Sequence, residues 1–163
     1  DKMKKHLMWT GLLLAGSLLL TSCGFHLRGS LPLERYPAIF VDAKKHSELA
    51  SLLSEQLKSN AVKLLTELDP KAPALMLQQD SLERRTLSLF PNGQVAEYEL
   101  IYRVKYQLLL PDQDIQEFQF ELTRDYQDDP NLALAKAKEL DLLLQELRNQ
   151  AASRIIRQLN RIR

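Results

Sequence analysis

A single cysteine, Cys23, stands in a sequence of 163 residues. No intramolecular disulfide can therefore staple the fold, and no paired thiols are available to hold a zinc ion. Histidine is almost as scarce. His6, His26 and His46 are the only three, and they fall in a leader, a tether and a helix start, so they cannot be gathered into one catalytic site. Five glycines are too few for a phosphate-cradling loop, and neither a nucleotide-binding fingerprint nor a nucleophile elbow is present. Charge of one sign is not in excess either. Residues 1 to 22 hold three lysines and one aspartate, so of 22 basic and 21 acidic groups the remainder keeps 19 and 20. Such a balance gives no global field to steer nucleic acid to the surface. What is present is 45% apolar and 26% charged residues, the composition of a chain that buries one core.

The N-terminal stretch reads as a processing segment. Lys2, Lys4 and Lys5 form a basic region, Leu7 to Leu20 are uncharged and mostly apolar, and Leu20-Thr21-Ser22-Cys23 leads out through small residues. As a helix the apolar run spans about 21 Å, short of the ~30 Å a transmembrane helix must cross, so cleavage is the better reading. These last residues resemble the bacterial lipobox. Residues 1–22 are thus expected to be a lipoprotein signal peptide, and Cys23 to carry covalent N-acyl and S-diacylglycerol lipid. Two or more acyl chains give stable membrane anchoring where one gives marginal binding. Gly24 follows the cysteine, where the lipoprotein sorting rule places aspartate for inner-membrane retention, so export to the outer membrane is expected.

Residues 23–37 read as a lipidated tether and 38–163 as a periplasmic α+β domain. Ala38-Ile39-Phe40-Val41 predicts a buried strand. Ser47 is a candidate N-cap for a helix carrying Leu49, Leu52, Leu53 and Leu57, with Asn60 a candidate left-handed stop. Val62 to Leu65 form a candidate short strand. From Ala74 to Leu89 the alternation is imperfect, with Leu75 and Leu77 at one end and Leu87 and Leu89 at the other, which suggests a bent or bulged strand. Asn92-Gly93 predicts a two-residue type I′ hairpin turn. Tyr98, Leu100, Tyr102, Val104, Tyr106, Leu108 and Leu110 then alternate with Glu97, Glu99, Arg103, Lys105 and Gln107, and Phe118, Phe120 and Leu122 form the apolar face of an antiparallel partner. From Pro130 onward, apolar residues from Ala133 to Ile162 recur every three or four positions, which predicts a long covering helix. The expected architecture is a two-layer sandwich in β-α-β-β-β-α order. Both helices pack on one face of a mixed, mostly antiparallel sheet.

Chemistry has few candidates. Glu97 and Glu99 sit at the spacing of paired carboxylates, but simple alternation on a solvated face accounts for them. Arg84, Arg85, Arg103 and Lys105 are candidates for a basic strip that takes an anion, against the simpler reading of a solvated face. Lys136 and Lys138 lie near a helix start, where backbone N–H groups also favour anions. No metal or cofactor is expected beyond the lipid on Cys23, and no enzymatic activity. An acyl-chain carrier that opens between sheet and helices is an alternative, and a hydrolase a distant third.

Three segments carry a resemblance: Cys23-Gly24-Phe25-His26-Leu27-Arg28, Asn92-Gly93-Gln94-Val95-Ala96-Glu97-Tyr98, and Asp128-Asp129-Pro130 leading to Ala133-Leu134-Ala135-Lys136. Together they resemble the LptE (RlpB) family of LPS-assembly lipoproteins, in order along nearly the whole chain. The resemblance implies a lipoprotein that plugs the lumen of the outer-membrane β-barrel LptD, assists its assembly, and helps deliver lipopolysaccharide to the outer leaflet. It also implies direct lipopolysaccharide binding through Lys136 and through a residue of the Phe90 to Gly93 turn, for which Asn92 is the candidate. Arg84 and Arg85 join them as candidate ligands. Pro91 occupies a turn position where some relatives have a basic residue, which leaves Lys136 the stronger candidate.

Overall fold

A computed structural model describes residues 36–162. Cys23, the expected signal peptide and the expected tether up to residue 35 lie outside the described residues. The elements in chain order are β1 (Ala38–Asp42), α1 (Glu48–Ser59), β2 (Lys63–Leu65), β3 (Ala74–Leu89), β4 (Val95–Leu109), β5 (Gln116–Gln127), a 3₁₀ turn (Pro130–Leu132) and α2 (Ala133–Arg161). The short β2 adds one strand to the expected order. The sheet runs β2-β1-β3-β4-β5, with β1 parallel to both its neighbours and the β3-β4-β5 meander antiparallel. The expected α+β sandwich is therefore the observed one.

β4 is the backbone of the core. Its even-numbered residues from Leu100 to Leu108 are buried, as is Leu110 just past its end, and α2 supplies Leu147, Ala151, Ile155 and Leu159 against the same core, with Leu49, Leu53 and Leu57 from α1. Tyr106 stacks on Phe118 of the neighbouring strand at 5.2 Å between ring centroids. This is the cross-strand aromatic pairing that stabilises sheets.

Imperfect alternation in β3 has a definite cause. The register passes from Leu77↔Tyr106 to Gln79↔Lys105, so Gln78 is an extra residue. A bulge of this kind moves every later side chain to the other face. Leu75 and Leu77 face the helices before it, and Asp80, Leu82, Arg84 and Thr86 do so after it, opposite Val104, Tyr102, Leu100 and Tyr98. Asp80 thereby points inward, accepting hydrogen bonds from Ser47 Oγ at 3.0 Å and from the Tyr102 hydroxyl. Leu87, the extra residue of a second irregularity, and Leu89 beyond it are exposed.

Two local readings are corrected. Asn60 has φ −88° and is not the left-handed residue; Ala61 is, at φ 61°. The amides of Ala61 and Val62 donate to the carbonyls of Lys58 and Leu57 at 2.9 and 3.1 Å, the paired bonds of a Schellman ending, while the Asn60 side chain donates to Gln56 O at 2.7 Å. Alanine in that conformation costs about 1–2 kcal/mol. Ala61→Gly is therefore expected to raise the melting temperature by a few degrees, about 0.5–1 kcal/mol net of the glycine's extra unfolded-state freedom. An unchanged or lower value in calorimetry would refute the strain.

The hairpin turn is also not the two-residue type I′ expected. Only Gly93 has positive φ, at 84°, and Gly93 N–H donates to Phe90 O at 2.9 Å while Phe90 N–H donates to Gln94 O at 2.8 Å. This is a three-residue loop, a type I turn followed by a left-handed glycine. Pro91 decides it, because its fixed φ suits the first central position of a type I turn.

Packing begins ahead of β1. Tyr36 is fully buried and its hydroxyl donates to Leu159 O at 3.0 Å, so the domain includes the last two residues assigned to the tether. The chain thus enters at the end of the sheet that holds the start of β3 and the end of α2. The β3–β4 hairpin tip is at the opposite end.

Candidate functional site

At the hairpin end, β3, β4 and β5 meet the start of α2. Asp129 caps the intervening 3₁₀ turn by accepting from Asn131 N–H at 2.9 Å. Pro130 at the first position has no N–H to satisfy. The turn sends α2 back over the sheet, and its first turns stay close to β5, where the Tyr126 hydroxyl donates to Lys136 O at 2.8 Å.

Four side chains line up there across the helix-facing side. The Arg84 guanidinium lies 5.8 Å from the Tyr98 ring centroid. Tyr98 is paired with Tyr126 across β4 and β5. The Lys136 ammonium lies 5.4 Å from the Tyr126 ring. Two cations thus bracket a pair of tyrosines, each within the range of cation–π attraction. Lys136 also pairs with Glu139 at 2.8 Å. That hydrogen bond is the main reason its ammonium is held above its ordinary value. The Tyr126 phenol is pushed up by burial first and by the Asp128 carboxylate second. Lys136 thus shares its charge with Glu139, and together with Arg84 it offers an anionic group two cationic side chains beside an aromatic surface. Exposed apolar side chains adjoin it in sequence: Leu87, Leu89 and Phe90 on the hairpin, Leu132 and Leu134 at the helix start.

The other candidates lie elsewhere. Arg85 points to the opposite, open face and is ion-paired with Glu99. Arg103 shares that face and bridges Glu83 and Glu121. Glu121 is the main cause of its raised guanidinium pKa. The expected basic strip is thus divided. Successive strand residues face opposite ways, so Arg84 and Arg85 cannot serve one anion from one face, and the open-face arginines are already neutralised by glutamates. Glu97 accepts from Ser88 Oγ at 2.8 Å and belongs to the same polar face. Asn92 sits at the hairpin tip, where its side chain bonds only Gln94, at 2.8 and 3.1 Å. Strand rise puts Gln94, which closes the loop, roughly 13 Å from Tyr98, and Asn92 lies beyond it. The structure therefore sets Arg84 and Lys136 on the two sides of one tyrosine pair, and leaves Arg85 on the other face and Asn92 at the hairpin tip. No group of three or more His, Cys, Asp or Glu side chains placed to hold a metal occurs among the described residues.

Sequence reasoning missed Tyr98 and Tyr126 as site residues. Tyr98 stood on the predicted apolar face of its strand and Tyr126 lay beyond the predicted face of Phe118, Phe120 and Leu122, and only the β4–β5 register reveals that they are neighbours.

Comparison with known proteins points one way. The lipopolysaccharide-assembly (LptE) family model matches residues 36–159. The LPS-assembly lipoprotein LptE of Pectobacterium atrosepticum is 32% identical over 95% of this chain and 86% of its own length, and that of Yersinia pestis is 35% identical over 95% and 76%. Among solved structures, the rare lipoprotein B of Shewanella oneidensis is 44% identical with a TM-score of 0.68, covering 75% of this chain and 92% of that one. Lipoprotein B of Nitrosomonas europaea is 28% identical with a TM-score of 0.65, covering 84% and 90%.

Proposed function

Because the chain belongs to the lipopolysaccharide-assembly (LptE) family, we propose that it is an outer-membrane lipoprotein that occupies the lumen of the LptD β-barrel. There it assists barrel assembly and meets lipopolysaccharide through the Arg84–Tyr98–Tyr126–Lys136 cluster. It works by binding and shaping rather than by catalysis.

The observation that carries this reading is the position of the cluster relative to the chain's start. Tyr36 marks one end of the sheet and the cluster lies toward the other. A strand of 16 residues such as β3 spans about 50 Å at ~3.3 Å per residue, more than the ~30 Å hydrocarbon core of a bilayer. A body anchored through Cys23 at the periplasmic leaflet and standing along a barrel axis carries its hairpin end to the level of the opposite leaflet. The open face, an ion-paired ladder of Arg85, Arg103, Glu83, Glu99 and Glu121, suits the hydrated interior of a large barrel. A stand-alone acyl carrier would need a cavity between the layers, and that interface is filled by Tyr36, Tyr102, Tyr106 and leucines.

The test is affinity purification of the lipidated chain from envelope membranes, followed by lipopolysaccharide binding to the purified protein. One large β-barrel protein should co-purify. Lys136→Asp should retain the barrel yet bind lipopolysaccharide about tenfold more weakly, because a cation at the anion's position becomes a like charge. Recovery of lipid without any barrel protein would overturn the plug reading, and unchanged binding by the Lys136 variant would remove the cluster from it.

A further inference from the structure

The edge strand β5 and the flank of α2 beside it form a second surface that the cluster does not use. β5 is last in the strand order and pairs only with β4. Its outer row of backbone N–H and C=O groups therefore has no strand partner. Natural edge strands are kept short or guarded by proline, charged side chains, bulges or a covering element. β5 runs for 12 residues, Gln-Glu-Phe-Gln-Phe-Glu-Leu-Thr-Arg-Asp-Tyr-Gln, without proline, and its charged residues Glu117, Glu121, Arg124 and Asp125 project from the two faces of the sheet rather than along the edge. Its pairing with β4 is continuous, without a bulge.

α2 runs antiparallel above it. Arg124 pairs with Glu146 at 2.7 Å and the Arg154 guanidinium lies 4.5 Å from the Phe120 ring. Eight helical residues and four strand residues each advance about 12–13 Å, so helix and strand stay in step. Extending that match places Arg157 and Arg161 over the start of β5. The same flank bounds an open groove of about 950 Å³ whose lining includes Leu122, Gln150, Ser153, Arg154, Arg157 and Arg161. Arg157 and Arg161 are exposed and form no ion pair among the described residues. On the open side of the sheet β5 presents the reverse sign through Glu117 and Asp125, exposed and without an ion pair among the described residues, beside Glu121, which is paired with Arg103.

We propose that this edge receives an extended polypeptide segment of a partner, added as a sixth strand beside β5, with acidic side chains on the helix side and neutral or basic ones on the open side. Strand addition satisfies the edge's backbone groups, and only a polypeptide can do so along a whole row. The alternation of a strand matches the two-signed surroundings, because every second side chain faces the arginines of α2 and the others face the carboxylates of β5. An anionic lipid would use the arginines and leave the edge bare. The surface is separate from the Lys136 cluster, so the proposal stands or falls apart from the reading above.

The test uses the full chain purified in detergent and a fluorescent peptide as long as β5 that alternates glutamate with threonine. A peptide alternating lysine with threonine is the control. The acidic peptide should bind, the control should not, and the β5 amides that point away from β4 should exchange with deuterium more slowly in the complex. Arg157→Glu together with Arg161→Glu, both exposed positions, should keep the circular dichroism spectrum and weaken binding about tenfold. Arg157→Gln with Arg161→Gln should fall between. Equal binding of both peptides, unchanged β5 exchange, or indifference to the charge reversal would overturn the proposal. So would protection of β5 by a second copy of the chain, or loss of lipopolysaccharide binding in the reversed variant with no peptide bound by the parent.

Discussion

Tyr36→Ala is expected to destabilise the domain by about 3–5 kcal/mol, the usual cost of emptying a buried aromatic site. Tyr36 is 0% exposed and lies among the core residues, so its loss leaves a cavity that the sheet and helix cannot close. It also does a second job. α2 ends at Arg161, so the Leu159 carbonyl is one of the last four, which have no partner within the helix. The Tyr36 hydroxyl supplies that partner at 3.0 Å. Tyr36→Phe separates the two contributions, because it keeps the ring and loses only the hydrogen bond, and about 1 kcal/mol is expected. For a domain of this size the alanine variant should melt roughly 10–20 °C lower and the phenylalanine variant a few degrees lower. Equal effects from both would mean that the hydrogen bond, not the packing, dominates. No effect from alanine would place the start of the fold after Pro37.

How much of this was legible in sequence depends on how local the cause is. β4 could be read almost position by position, because alternation from Leu100 to Leu108 marks one face and the structure buries it, with Ile101 of the opposite face the exception that is buried too. The N-cap at Ser47 was equally local, and Ala50 N–H donates to its hydroxyl at 3.1 Å. β3 was readable only as irregular. A bulge at Gln78 is set by the pairing of two strands, and Asp80 turns inward only because of it. The turn at Asn92-Gly93 misled because the stronger constraint was the preceding Pro91. The cluster was half legible. Lys136 could be singled out, but its partners Tyr98 and Tyr126 are separated from one another by a hairpin and meet only through register. Arg84 and Arg85 show the converse error, since adjacency in sequence suggested one strip where strand geometry assigns them to opposite faces.

Alkaline pH is expected to unfold the domain more steeply than a typical α+β domain, with tyrosine ionisation as the cause. Tyr102 is held well above the ordinary phenol range by burial first and by its hydrogen bond to Asp80 second, and Tyr106 by burial. Both native pKa values are raised, so the contribution of each is fully present below the unfolded value of about 10 and is lost as pH climbs toward the native one. Above pH ~10 the unfolded chain has released protons that the native state still holds, so stability falls with pH at no more than about 1.4 kcal/mol per unit for each tyrosine. Solvent screening lowers that ceiling. Tyr126 and Lys136 are shifted in the same direction and add to the same limb. Phenolate absorbance should therefore rise together with the loss of circular dichroism. Tyr106→Phe isolates the effect, because the Tyr106 hydroxyl makes no side-chain hydrogen bond among the described residues and its loss should change stability little at pH 7. The variant's stability should fall less steeply above pH ~10. Phenolate signals from Tyr102 and Tyr106 appearing before unfolding would show that water reaches those hydroxyls, and that burial beneath α2 does not hold them neutral.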